Sequence, residues 1–444
     1  MEQTAAEKRE KKSGFRLMPV FLILAFTLGA AHLWRAGQIG TAVVCLLWGA
    51  GCLLRRAWMR PLSFVALLAL SVDWLMTAHL LVGLRFAMQE PWMRLAAILT
   101  GASAVTVVTA MMCRAEPGRT WFCHGRSTAG MQMTAFLLAS VPLFLMAFFA
   151  PHLLLAERMA PGFGMLQAFL AGGWSAWVCV RLLDRRQASR FRVWIWRLFS
   201  ICFFGQFMLS LCGWALFSMT GEMHIPVPGV IIAGMIYRGT AGFMPFLFVV
   251  SVLLAGAAWC SHLCYFGSWD AWAATATRAS VHAGPVRWRV LSLAFLCVTA
   301  LLLRHAPFSA AVACGVMLGL IMPPISALVS RRKGWAAYCT MICPLGLLSC
   351  LLGRVAFWRI RCTAGCTRCG ACIRVCRYGA LDGNQLEAGS PGLSCTLCRD
   401  CLNVCTHGGL CMTWLGMGAG GLAERCFVVL TAAMHALFLF SAMV

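Results

Sequence analysis

Charge is what this sequence has least of. Only 11% of its 444 residues are Asp, Glu, Lys or Arg, 14 of them acidic, and 61% are hydrophobic. Mean hydropathy is +0.80. A soluble globular chain carries about 25% charged residues, so that class is excluded. A nucleic-acid partner is excluded with it, because the formal charge of +23 has a better explanation in where the cations stand. No convincing cleavage site follows the first apolar run, so residues 1–16 and that run are expected to form an uncleaved anchor rather than a signal peptide. No span carries two histidines at ligand spacing, so haem is not expected. His32, His79, His152, His224 and His305 stand singly near span ends.

Apolar runs of roughly bilayer-crossing length cover 17–34, 37–54, 62–84, 95–112, 131–155, 160–180, 195–218, 241–259, 290–303 and 307–330, with a last one at 426–444. If the N-terminus is cytoplasmic, the connections alternate sharply in charge. Of the 37 Lys and Arg, only Arg35, Arg85, Arg94, Arg158, Arg238 and Arg304 then lie outside. Positive residues mark cytoplasmic loops. The expectation is an all-α polytopic protein of about 10–11 transmembrane helices in the bacterial inner membrane, N-terminus inside and C-terminus outside.

Between the last two spans lies the chain's densest chemistry. It reads Cys366-Thr-Arg-Cys369-Gly-Ala-Cys372-Ile-Arg-Val-Cys376, and later Cys395-Thr-Leu-Cys398-Arg-Asp-Cys401-Leu-Asn-Val-Cys405. C-x2-C-x2-C-x3-C, written twice, is the ligand run of a bacterial ferredoxin with two [4Fe-4S] clusters, in which the fourth Cys serves the other cluster. One cluster would take Cys366, Cys369, Cys372 and Cys405, the other Cys395, Cys398, Cys401 and Cys376. The fourth Cys of each run is expected to start a short helix. Zinc ribbons use separated pairs, and disulfide frameworks belong to oxidising compartments. The proline that usually follows the last Cys is missing, with Arg377 and Thr406 in its place. Arg368, Arg374, Arg377 and Arg399 interleave the cysteines, where they would raise the cluster potential and dock an acidic carrier.

A second pattern occurs at the inner ends of two spans, Trp259-Cys260-Ser-His-Leu-Cys264-Tyr-Phe-Gly267 and Tyr338-Cys339-Thr-Met-Ile-Cys343-Pro-Leu-Gly346. Aromatic, Cys, three residues, Cys, two residues, Gly is common to both. Cysteines four apart share a helix face, so Cys260, Cys264, Cys339 and Cys343 are a candidate membrane-edge redox site, as dithiols or as ligands of a further cluster or metal. The first pattern has Tyr265 where the second has Pro344. The duplicated motifs followed by the two cysteine runs resemble the membrane polyferredoxin family over residues 195–411. That family includes the quinol-oxidising membrane subunit of periplasmic nitrate reductase systems, the nitrous-oxide reductase accessory protein and the cytochrome-oxidase copper-assembly protein.

The apolar runs divide off residues 1–194 as about six N-terminal transmembrane helices, which lie outside the family's common pattern, and the repeated Cys motif marks 195–350 as a duplicated two-span unit, where the resemblance begins. Residues 351–412 would be a cytoplasmic ferredoxin-like domain and 413–444 a C-terminal transmembrane helix. The resemblance also implies a quinol-dehydrogenase-like electron-transfer protein working with the membrane quinone pool and a periplasmic reductase or cytoplasmic carrier. A copper- or thiol-reducing assembly factor and an iron–sulfur redox sensor are the alternatives. Asp73, a carboxylate inside the third span, is a candidate proton or quinone site. His224, in a 219–240 loop that Pro226 and Pro228 should hold extended, is another.

Overall fold

The computed structural model describes residues 2–217, 227–240, 242–274, 286–416 and 421–441. In lipid, a segment must satisfy its own backbone polar groups, which leaves the helix as the default solution for an apolar run. Ten of the described helices are long and apolar enough to cross a membrane, so the chain is a multi-pass, mostly helical membrane protein. It divides into two compact units, 1–176 and 177–444.

The first unit contains α1 (Glu2–Arg35), α2 (Ile39–Cys52), α3 (Met59–Ala87), α4 (Met93–Arg114), α5 (Ala129–Phe149) and the beginning of α6 (Gly164–Leu183). The expected span 37–54 is a correction. α2 has 14 residues, about 21 Å at 1.5 Å per residue, which is short of a hydrocarbon core of about 30 Å. It still reverses the chain alongside α1. Ala42 shares a buried cluster with Ala30 and Leu33, and Cys52 shares another with Met18 and Leu22. Trp48, Trp58 and Phe136 pack edge-on or tilted at the centre of the second cluster.

The unit boundary at 176 precedes the expected 194, because the end of α6 and the start of the next helix bond to distant parts of the second unit. Leu182 O accepts from Arg399, and Ser189 Oγ from Asn403. The second unit continues with α7 (Ala188–Leu211), α8 (Gly229–Arg238), α9 (Phe243–Ala255), α10 (Gly267–Ala273), α11 (Val286–Leu303), α12 (Phe308–Lys333) and α13 (Pro344–Leu352). α8 corrects the extended path expected for 219–240. Pro228 stands at its N-cap, where a missing N–H costs nothing. His224 and Pro226 lie outside the described residues.

Beyond α13 come β1 (Trp358–Cys362), α14 (Ala371–Val375), α15 (Asp400–Val404), β2 (Leu410–Trp414) and α16 (Gly421–Ser441). β1 and β2 pair antiparallel from Trp358↔Trp414 to Cys362↔Leu410. This ribbon closes the loop of chain that carries both cysteine runs. Trp358 Nε1 donates to Leu254 O at 2.7 Å and ties the ribbon to α9. α16 is 67% buried along its best 18-residue window and α11 only 11%, so α16 is central to the unit. α11 turns Phe295 and Leu302 outward, towards lipid in a membrane.

Candidate metal centres

The two cysteine runs have matching backbones. In each, the residues two and four after the first Cys adopt positive φ: Arg368 (55°) and Gly370 (72°), then Leu397 (51°) and Arg399 (66°). The third Cys sits inside a one-turn helix, α14 or α15, and the fourth follows its end in extended conformation. That corrects the expectation that the fourth Cys begins the helix. The three residues between these cysteines complete the turn, and Cys376 N and Cys405 N then bond back to Ile373 O and Leu402 O.

This geometry crosses the runs over. Cys366, Cys369 and Cys372 line one hollow with Cys405, and Cys395, Cys398 and Cys401 line another with Cys376. The two hollows are of equal size. Among the described residues no three His, Cys, Asp or Glu side chains close on a single metal ion. A lone zinc would draw four thiolates to about 2.3 Å from one point. Thiols standing apart around a space are instead the donor set for a polynuclear cluster, whose irons each take one cysteine. On that chemistry both sets fit a [4Fe-4S] group.

Their surroundings differ. Cys369 is exposed. The Ala371 N–H and the Thr367 hydroxyl, bonding to its sulfur, hold its thiol below the ordinary range. At the other set burial dominates, pushing Cys395 up to about 12 and Cys398 and Cys401 up as well. Buried ion pairs clamp that second run to membrane helices. Arg192 on α7 meets Asp400 at 2.9 Å and also donates to Ser261 O at 3.0 Å. Arg399 meets Glu424 on α16 at 2.6 Å, and Arg185 meets the other Glu424 oxygen at 2.5 Å. Arg399 is 2% exposed, which corrects its expected role as a docking cation. Arg368 and Arg374 are exposed, and Arg377 is half-buried.

The second cysteine pattern is not on a continuous helix face. Trp259–Leu263 and Tyr338–Ile342 are π-helical turns, closed by Cys264 N to Trp259 O and Cys343 N to Tyr338 O, both 2.9 Å. The second Cys of each then extends the chain before α10 or α13 begins. Despite Tyr265 in place of proline, the two turns match. A Cβ on Gly267 would lie 3.1 Å from Cys260 O, and one on Gly346 would lie 3.1 Å from Cys339 O. Backbone N–H groups of Phe266 and Gly267 bond to the Cys264 sulfur, and those of Leu345 and Gly346 to the Cys343 sulfur. All four cysteines line a third hollow with Trp259, Arg289, Cys350, Tyr378 and Thr396. Asp270, buried in α10, accepts from Ser330 Oγ and from Cys339 N at 2.9 Å, so it fixes the second turn.

In the first unit the structure brings Asp73 and His32 together, Nε2 to Oδ2 at 2.9 Å. Trp74 stacks on the imidazole with centroids 4.1 Å apart. His79, His152 and His305 are exposed. Sequence reasoning overlooked Asp270, Asp400 and Glu424, although with 14 acidic residues in 444 each acid beside an apolar run was a signal. It also missed the roles of Arg192, Arg289 and Tyr378, which only the fold reveals. No family model, curated protein or solved structure matches the chain.

Proposed function

We propose that this chain is a membrane-bound iron–sulfur electron-transfer protein of the polyferredoxin kind. It would exchange electrons between two [4Fe-4S] clusters and a membrane quinone or a redox protein across the membrane. The observation that carries this is the crossing of the runs, which surrounds each of two hollows with three thiols from one run and one from the other. Cys366, Cys369, Cys372 and Cys405 would hold the outer cluster, and Cys376, Cys395, Cys398 and Cys401 the inner. Bound there, such clusters supply reversible one-electron transfer at potentials set by sulfur hydrogen bonds, charge and burial.

The chain's own residues supply those settings. Ala371 N–H serves Cys369, and Ala380 N donates to Cys376 Sγ at 3.3 Å. Arg192 with Asp400 and Arg399 with Glu424 put two buried ion pairs beside the inner set, whose oriented charges would set the local field at its cluster. Exposed Arg368 and Arg374 offer the outer set to an acidic partner. Quinol oxidation releases two electrons and two protons, and the intramembrane His32–Asp73 pair supports a role as proton acceptor in that step. The concentration of positive residues in alternate loops supports a cytoplasmic cysteine segment.

The test is iron, acid-labile sulfide and EPR on anaerobically purified full chain. Cys369→Ser and Cys401→Ser should each lose about four irons and a different signal, as separate four-iron clusters require. Zinc in place of iron in the wild type overturns the proposal. Asp73→Asn should keep all iron and slow reduction by a quinol analogue by about 10²-fold, the usual contribution of a positioned base. An unchanged rate removes Asp73 from the reading.

A further inference from the structure

We infer that the two π-turns build a third metal–sulfur site, an iron–sulfur cluster held by Cys260, Cys264, Cys339 and Cys343. This goes beyond the two-cluster proposal, on which only its wild-type iron count rests. The first ground is the donor set. Two equivalent turns, from separate parts of the chain, present four thiols to one hollow as large as each of the other two. As there, the thiols do not converge on a single-ion site.

The second ground is independent of the cysteines. Trp259 Nε1, Arg289 Nε and Thr396 Oγ1 are buried atoms without a hydrogen-bond partner, and all three residues line this hollow. Trp259 is 4% exposed, Arg289 3% and Thr396 5%. Indole and guanidinium N–H groups can only donate, and buried donors are normally satisfied. Packing cysteines or a disulfide would leave them unmet. A sulfide-rich anionic group would accept from them, and Arg289 would balance part of its charge.

The rest of the Arg289 guanidinium is committed, because Nη2 donates to Cys339 O at 2.9 Å and so ties α11 to the second turn, and the group also bonds to the Cys350 thiol. π-turns recur at functional sites because they break the regular ladder, and here each break aims a sulfur that accepts backbone N–H groups. Cys350 also lines the hollow, but it lies outside the repeat and is assigned no ligand role. Tyr378 and Thr396 line both this hollow and the inner one. They form a shared wall, so the third site stands directly beside the inner set, at the end of the membrane-spanning Phe243–Leu263 helix.

The experiment uses anaerobically purified full chain and counts iron and sulfide, with EPR of the reduced protein. The wild type should carry more iron than the eight that two four-iron clusters account for, roughly ten to twelve. Cys260→Ser/Cys343→Ser should lose two to four of these irons, about one two- or four-iron cluster, with one signal, and Cys350→Ser should lose none. Arg289→Gln should keep the iron and shift that signal's midpoint potential downward. Equal iron in the wild type and the double variant overturns the inference. If the double variant loses all iron by misfolding, the wild-type count decides: about eight irons refutes a third cluster and ten or more supports it. Failure of the two-cluster proposal reads differently, as iron that survives Cys369→Ser/Cys401→Ser yet vanishes with Cys260→Ser/Cys343→Ser.

Discussion

The outer and inner cysteine sets share spacing and backbone and almost nothing else. The outer run presents an exposed Cys369, with Arg368 paired to Glu387 at 3.3 Å on the surface. The inner run is gripped by Arg192 and, through its own Arg399, by Glu424, in ion pairs that join it to α7 and α16. One local code was thus used in two environments. The spacing sets where sulfur goes, and residues distant in sequence decide how deeply it is held.

The largest way to break this comparison is Arg192→Ala, which leaves Asp400 buried without its cation. Loss of one partner of a buried pair costs about 3–5 kcal/mol, whereas Arg368→Ala on the surface should cost no more than about 1 kcal/mol. Thermal unfolding in detergent reads both, and equal shifts would abolish the distinction. Next comes the matched position where the outer run has Gly370 and the inner Arg399, both left-handed. Arg399→Gly relieves about 1 kcal/mol of backbone strain but removes the buried one of the two cations on Glu424, leaving half-exposed Arg185, for a net loss of about 1–3 kcal/mol. Gly370→Ala should cost about 1–2 kcal/mol through strain alone.

The two π-turns sharpen the same contrast. A Cβ on Gly267 would also press 2.7 Å from Trp196 Cζ2, so Gly267→Ala should cost about 1–3 kcal/mol as overpacking. Gly346→Ala, which meets no ring, should cost less. The smallest effect is kinetic. A chelator should strip iron in two phases, with the Cys369 set first, followed by optical bleaching of the wild type and of Cys369→Ser. A single phase in the wild type would count against the outer–inner difference.

What could be read in advance follows from how local each signal is. Long apolar runs announce their own helices, and the C-x2-C-x2-C-x3-C spacing carries its crossing with it, since three residues are one helical turn. α2 was misjudged in length because hydropathy continues through Leu53 and Leu54 after the helix has ended at Cys52. The CxxxC patterns were read with ordinary helical periodicity, which a π-turn breaks by bonding residues five apart instead of four. Arg399 was expected on the surface because charge next to a ligand run usually is. Its partner Glu424 stands 25 residues on, and no pattern in the runs themselves points to it.

Glu424 also bears on the order of assembly. It is translated after both cysteine runs and after Arg185, and it joins Arg185 and Arg399 from a helix at the heart of its unit. While the ribosome is still making the cysteines, Arg399 has no carboxylate to close upon, so the inner set stays unlatched on that side until α16 inserts. α16 therefore acts as a closing bolt, latching the inner set from a segment made after both cysteine runs.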